Sequence, residues 1–197
     1  LCNFTKEHEQ LKLEGGTLKD KIIEASFLDI EMPFQESFTV IGNFPYNIST
    51  QIVFKVLDWK QQVPMMVGMF QKEVAERLCA GEGNKDYGIT SVLLQAYYDC
   101  KYSFTVHEGS FNPPPKVKSG VIDCRLKTQL PDCDYNALKL VVKTAFSQRR
   151  KTMGNAMKSL TTSRPGFVLP EGWAGMRAEQ LGVQDYLRLA QLWMESV

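Results

Sequence analysis

The sequence predicts an α/β fold: a largely parallel sheet flanked by helices, followed from about residue 128 by a small all-helical domain. Three observations predict it. Up to Leu126, short β-rich runs alternate with amphipathic helical stretches, as in strands covered on both faces by crossover helices. Pro131-Asp132 then breaks the chain, and beyond it apolar residues recur at helical spacing. With 197 residues, 44% apolar and 23% charged, the chain suits one sizeable core, or a domain with an appendage, in an ordinary globular protein.

The elements follow in order. Residues 1–20 are polar and carry Gly15-Gly16. Ile22-Ile23, ahead of Phe27-Leu28, reads as a buried strand with its exit loop. Phe38 to Gly42 is a second β-rich run, ended by Gly42 and the Pro45 turn. Ser49 or Thr50 is placed to cap a helix through about Trp59, because Ile52, Val56 and Trp59 recur on one face. Met65 to Phe70 is a third strand. A helix from Gln71 to Ala80 carries Glu73 and Arg77 at i,i+4. Gly81 to Lys85 has the composition of a mobile loop, and Ile89 to Tyr98 reads as a helix.

Lys101 to Val106 and Val117 to Leu126 are two more strands, separated by Asn112-Pro113-Pro114-Pro115. No helix lies between them, so an antiparallel edge pair is open to them. In the last part, Asp134 is placed to cap a helix with Leu138, Val141, Val142 and Ala145 on one face. A second helix carries Met153, Met157 and Leu160, and a last one Tyr186, Leu189, Ala190 and Trp193.

Composition excludes several classes. No window approaches the run of about 18 apolar residues that a membrane-spanning helix needs. Leu1-Cys2-Asn3-Phe4 shows neither a secretory signal nor an initiator Met, so the start is expected to be an edge within a longer chain. Five cysteines (Cys2, Cys79, Cys100, Cys124 and Cys133) include no CxxC pair, and only His8 and His107 accompany them. That pattern points to reduced thiols acting as small hydrophobes, with no metal site and a cytoplasmic setting. The net charge of +1 hides an asymmetry: Tyr135 to Pro170 contains no Asp or Glu but holds Lys139, Lys143, Arg149, Arg150, Lys151, Lys158 and Arg164. A basic block on a near-neutral chain suggests a polyanionic partner, although a solvated basic face has the same composition.

Three constellations carry candidate chemistry. Asn43-Phe44-Pro45-Tyr46 follows a predicted strand, and ligands of open α/β sheets bind at the carboxyl ends of strands. An adenine amine is a poor nucleophile because its lone pair is delocalised into the ring. The Asn43 side-chain carbonyl and the Pro45 backbone carbonyl are each able to accept one amine hydrogen. The nitrogen lone pair is then aimed at an electrophilic methyl, by positioning and electrostatics. Tyr46 offers a ring for the base to stack on. An ordinary turn between strand and helix would also read this way. The second constellation runs from Phe111 to Ser119, where prolines stiffen the backbone and would hold the Phe111 ring on the other face of the base. A core Phe at a Pro-rich strand entry is the alternative. The third is Gln148-Arg149-Arg150-Lys151-Thr152 with Asn155. On a helix, Lys151, Asn155 and Lys158 lie together, positioned for phosphates, while Arg149 falls near the apolar face as an anchor.

Together these stretches resemble the small-subunit ribosomal RNA adenine N6,N6-dimethyltransferases, the KsgA-type family. The resemblance rests on Gly42 to Ser49, Gln71 to Leu78, Lys85-x-Tyr87-Gly88, Phe111 to Ser119, Phe146-x-Gln148-Arg149-Arg150-Lys151-Thr152 and Arg177-x-Glu179-x-Leu181. It covers roughly Lys21 to the end. It implies a Rossmann-like class I methyltransferase domain, here partial, over 1–127 and a helical RNA-binding domain over 128–197. It implies an enzyme that uses S-adenosylmethionine to methylate two adjacent adenosines in a hairpin near the 3′ end of small-subunit rRNA, with a link to ribosome assembly. Asn43, Pro45, Tyr46 and Phe111 would be catalytic. Ser26, Phe27 and Asn43 would meet the cofactor. Arg149, Arg150, Lys151, Asn155 and Lys158 would meet RNA. The partner would be the small-subunit particle, and the protein a monomer.

Three departures stand out. The family's opening segment, with its glycine-rich loop and ribose-binding acid, has no counterpart here, so the chain as given is expected to be inactive alone. Ser26 stands where the family usually has Asp, which removes a charge from the contact to the cofactor's adenine amine. Gly154 stands where the family often has Arg. Two other readings compete: a non-catalytic RNA-binding assembly module, and the macrolide-resistance methyltransferases that act on large-subunit rRNA. The triple proline and the Gln-Arg-Arg-Lys-Thr run favour the small-subunit type.

Overall fold

The computed structural model describes residues 12–13, 16–17 and 25–196. The chain forms two compact units, residues 1–33 and 34–197. In the first, β1 (Lys12–Leu13) and β2 (Gly16–Thr17) pair antiparallel. The expected strand at Ile22-Ile23 lies outside the described residues. Its exit is a turn closed by Asp29 and Ile30 N–H donating to the Ser26 carbonyl at 3.0 and 3.2 Å.

The second unit is built on β3 (Thr39–Asn43), α1 (Ser49–Asp58), β4 (Met65–Gln71), α2 (Lys72–Cys79), α3 (Ile89–Tyr97), β5 (Tyr98–Val106) and β6 (Ser119–Leu126). Helices α4 (Tyr135–Ser147), α5 (Met153–Ala156), α6 (Lys158–Ser163) and α7 (Val183–Glu195) follow. The sheet order is β3-β4-β6-β5. Only the β3–β4 pairing is parallel; β6 pairs antiparallel with both β4 and β5, so β3, β4 and β5 run one way and β6 the other. The sheet is therefore mixed: the common direction expected of the strands holds for β3, β4 and β5, and β6 is the exception. The last two strands do form an antiparallel pair, but β6 is inserted beside β4 and leaves β5 at the edge. The reason is the connection: with no crossover helix after β5, the chain turns back directly.

That reversal sets up the site. Strands β3 and β4 end at one edge of the sheet, and β6, running the other way, begins there. Ser119 pairs with Gln71 at the end of β4 and with Val106 at the end of β5. Three loops thus meet at one sheet edge.

The helices follow their predicted faces, with local differences. Ile52, Val56 and Trp59 are buried along α1. Neither Ser49 nor Thr50 caps it: the cap position is Ile48, and the Ser49 hydroxyl donates instead to the Tyr46 carbonyl at 3.1 Å. On α2 the ion pair formed is Lys72–Glu76 at 3.5 Å. Asp134 caps α4 as expected, accepting from Ala137 N–H at 2.8 Å. Met153, Met157 and Leu160 are buried together, yet the helix expected there breaks at Met157 into α5 and α6. Helices α4 and α7 pack on each other, and both pack on α3.

No helix among the described residues is long and apolar enough to cross a membrane. Cys79, Cys100, Cys124 and Cys133 are free thiols, and Cys2 lies outside the described residues. Burial, reinforced by Cys100, pushes the Cys79 thiol up to about 12, so it stays protonated at neutral pH.

Candidate active site and RNA-contact surface

The corner after β3 is anchored by Phe44, which is 7% exposed. Gly42 and Gly68 are register partners on β3 and β4. A Cβ at Gly42 would lie 2.7 Å from the Phe44 ring, and one at Gly68 would lie 2.4 Å from it. Two side-by-side glycines thus open a slot that the ring fills, and it packs on Phe70 with centroids 5.1 Å apart. Phe44 N–H extends the ladder by donating to the Met69 carbonyl at 3.1 Å. With Phe44 turned into the core, its neighbours Asn43 and Pro45 are exposed and Tyr46 is half-buried. The Pro45 carbonyl already accepts from Ile48 N–H at 3.2 Å and keeps its second lone pair for a further donor.

Tyr46 is held at both ends. Its carbonyl accepts from Ser49, and its phenol lies 2.7 Å from the Ser119 hydroxyl. The Phe111–Ser119 stretch is therefore joined to Asn43–Tyr46 through Ser119. Phe111 itself is half-buried at the end of the 3₁₀ turn Glu108–Ser110. Residues 111–113 bend where a straight extended rail was expected, and β6 starts at Ser119, not Val117. The start of α2 is stitched to the same stretch, Lys72 N–H donating to the Lys118 carbonyl at 2.9 Å. Neither Gly68 nor Ser119 was assigned a role from sequence. Gly68 lies within a strand with no local signal of its role, and Ser119 is 73 residues from the tyrosine it meets. Ser26 is exposed and Phe27 half-buried in the first unit, where the Ser26 hydroxyl accepts from Leu28 N–H at 3.3 Å.

The basic stretch divides into two groups. Arg149 is an anchor: its guanidinium donates to the Lys85 carbonyl and sits 3.9 Å from Glu179. Arg164 lies over the Trp193 ring at 4.1 Å and donates to that residue's carbonyl at 3.0 Å. Lys139 reaches over the Phe54 and Tyr135 rings. In contrast, Lys143, Arg150, Lys151 and Lys158 are exposed and form no ion pair among the described residues. Lys151, Asn155 and Lys158, with Gln148 and Ser159, line an open cleft of about 400 Å³. Asn155 is oriented by its amide donating to Thr152 Oγ1 at 3.1 Å. At Gly154 a Cβ would meet the Ala174 carbonyl at 3.2 Å, so this position packs against a neighbouring turn and is cramped for an Arg.

Three of the recognised stretches meet at one joint behind this cleft. Gly83 N–H donates to the Glu179 carbonyl at 2.7 Å, and Thr152 bridges Arg177. Tyr87 is fully buried against Phe146, which stacks on Tyr186 at 5.7 Å. Burial, reinforced by Glu82 and Asp185, pushes the Tyr87 phenol well above its usual range. This joint combines a buried aromatic cluster with polar contacts at its rim, and its residues hold the loop 81–88 to the helices.

With this geometry in place, comparison with known proteins is informative. A family profile described as "Ribosomal RNA adenine dimethylase" matches residues 1–192. The chain is 53% identical over 190 residues to "Ribosomal RNA small subunit methyltransferase A" of Cytophaga hutchinsonii, covering 93% of this chain and 72% of that protein. It is 52% identical over 176 residues to the protein of the same name in Parabacteroides distasonis, covering 87% of this chain and 65% of that protein. In fold it matches a crystal structure of a dimethyladenosine transferase from Plasmodium falciparum with a TM-score of 0.74 at 22% identity, covering 88% of this chain and 72% of that one.

Proposed function

The chain belongs to the ribosomal RNA adenine dimethylase family, and from that premise we propose that it dimethylates the N6 amines of two adjacent adenosines in a hairpin near the 3′ end of small-subunit rRNA. Members of this family are S-adenosylmethionine-dependent methyltransferases acting on rRNA adenines. The small-subunit choice is supported by the names of relatives at about half identity. The observation that carries the catalytic assignment is the corner itself: Phe44 locked between Gly42 and Gly68, with Asn43 projecting at the sheet edge beside a tethered Tyr46.

Asn43 and the Pro45 carbonyl would accept the two amine hydrogens and leave the nitrogen lone pair free. Tyr46 and Phe111 would hold the base between them. No strong base is needed before attack; the protein supplies orientation and a fixed dipole. S-adenosylmethionine supplies an electrophilic methyl on sulfur. Of the residues that would hold it, Ser26 accepts one hydrogen bond at 3.3 Å and retains both a lone pair and its own proton. That donor set fits a neutral contact to a nucleoside amine, weaker than the charge-assisted one an Asp would make.

Division of labour follows the chain. Residues 1–127 would carry methyl transfer, and 128–197 would bind RNA through Arg150, Lys151, Asn155 and Lys158, with Arg149 holding the cleft in place. Phosphate contacts of this kind set register without reading sequence. The protein would act as a cytoplasmic monomer on the small-subunit particle. The direct test is single-turnover methylation of unmethylated small-subunit particles by the full-length protein, with the modified bases identified by mass spectrometry. Methylation of large-subunit rRNA alone, or RNA binding without any methyl transfer, would overturn the proposal.

A further inference from the structure

Apart from buried tyrosines, the buried side-chain hydroxyls among the described residues belong to Ser49, Ser91 and Ser119. A buried hydroxyl is costly unless hydrogen-bonded, so each should be engaged. Ser91 is structural, donating to the Arg77 carbonyl at 2.6 Å and accepting from Gly88 N–H at the start of α3. The other two both converge on Tyr46, one on its carbonyl and one on its phenol.

We propose that Ser119 is a positioning residue for methyl transfer: its hydroxyl, 2.7 Å from the Tyr46 phenol, fixes the plane of that ring before a base arrives. The proposal rests on the reading that Tyr46 presents its ring to the target adenine. Ser119 is 0% exposed and does not reach the base itself. Its backbone is held by strands on both sides, pairing with Gln71 and Val106. The next residue, Gly120, is closely packed, with no space for a side chain: a Cβ there would lie 2.8 Å from both Ala75 and Tyr102. The tether's fixed end is therefore rigid. Its free end is a half-buried ring that would otherwise rotate about its side-chain bonds. With the phenol tied, the ring is already oriented for stacking, and base capture carries no further ordering cost. The bond also joins the Asn43–Tyr46 corner to the loop that carries Phe111, so both sides of the proposed base slot share one support.

Kinetics on the full-length protein with small-subunit particles and S-adenosylmethionine test this. Ser119→Ala should lower kcat at saturating particle by about three- to tenfold, as for one lost hydrogen bond, with KM nearly unchanged. Tyr46→Phe removes the same bond from the accessible side and should match it. The double variant should be no slower than either single one, because both remove one interaction. Ser91→Ala is the control: it should lower Tm and leave kcat at wild type. Should Ser119→Ala fold poorly, Tyr46→Phe decides the matter alone, and a wild-type kcat there overturns the tether. Additive losses in the double variant also overturn it. Tyr46→Ala separates the two levels. If it is slow while Ser119→Ala and Tyr46→Phe are normal, only the tether fails. If Tyr46→Ala is itself normal, the assignment of Tyr46 fails and the tether with it.

Discussion

The corner at Asn43–Tyr46 and the cleft at Lys151–Lys158 are built in opposite ways. At the corner almost nothing is free to move. Phe44 fills a slot between two glycines, Tyr46 is bonded at both ends, and the backbone continues the sheet ladder to Phe44. At the cleft the cationic side chains are exposed, and what is fixed is the scaffold beneath them, through Arg149 and the turn at residues 176–180. The difference follows from the chemistry each would serve. Aiming a lone pair at a methyl requires placement within a fraction of an ångström, which only packed elements provide. Attraction of a lysine to a phosphate falls off slowly with distance and has no strict direction, so long flexible side chains suffice.

The largest expected effect tests the rigid side. Asn43→Ala should reduce kcat by about 100-fold or more, as when a catalytic dipole aimed at the reacting group is lost, while particle affinity stays within about twofold. Asn43 is exposed and buries nothing, so Tm should hardly change. A rate within about threefold of wild type would remove the amine-pocket assignment and, with it, the contrast between the two regions.

The same substitution placed in both regions sharpens the contrast. Gly68→Ala would push a methyl to 2.4 Å from Phe44 and 2.6 Å from Phe70. Both rings are buried, so the expected cost is about 1–3 kcal/mol from overpacking, with a fall in kcat as the corner shifts. Gly154→Ala meets Ala174, its carbonyl at 3.2 Å and its Cβ at 3.4 Å, and it lies on α5, where replacing Gly gains up to about 1 kcal/mol of helix propensity. Its Tm should stay within about 2 °C of wild type. Equal losses from the two variants would show that the corner is no tighter than the helical part.

Phe111→Leu comes next. Loss of base stacking should cost about 1–3 kcal/mol in transition-state stabilisation. If Phe111 is instead a core residue, Tm falls and the rate per folded molecule holds. Measuring both separates the two, and half-burial of the ring is compatible with the first.

The sequence showed the regular elements well, because their cause is local. Periodicity located α1, α4 and α7, and Asp134 is a cap that can be read without a structure. The helix expected around Met153–Leu160 kept its apolar face but broke at Met157 into the two short helices α5 and α6. What stayed hidden was non-local. The insertion of β6 between β4 and β5 depends on pairings that no window of sequence contains, and that insertion brings Ser119 to Tyr46. Gly68 is hidden for the same reason, since its purpose is a ring donated by the neighbouring strand. The basic stretch was visible as charge, and helical spacing already marked Arg149 as an anchor, but the internal engagement of Arg164 and Lys139 required the packing.

The smallest effect belongs to the cleft, and it shows in salt dependence more clearly than in affinity at one condition. Lys151 and Lys158 line the open side of the cleft and are exposed, so each is expected to neutralise about one phosphate. Each such contact contributes roughly −0.7 to −0.9 to the slope of log affinity against log salt. Changing both to Ala should therefore make the slope shallower by one to two such increments and leave Tm unchanged, because neither side chain packs inside. Arg149→Ala should do the reverse. It removes the contacts to Lys85 and Glu179, so Tm should drop while the slope changes little at temperatures where the protein stays folded. Asn43→Ala, at the far extreme, should alter neither quantity. Fluorescence-anisotropy titrations of a small-subunit rRNA hairpin from low to moderate salt would read all three slopes. An unchanged slope in the Lys151/Lys158 variant would mean that RNA phosphates do not run along this cleft, and the binding surface would then have to be sought around Lys143 and Arg150.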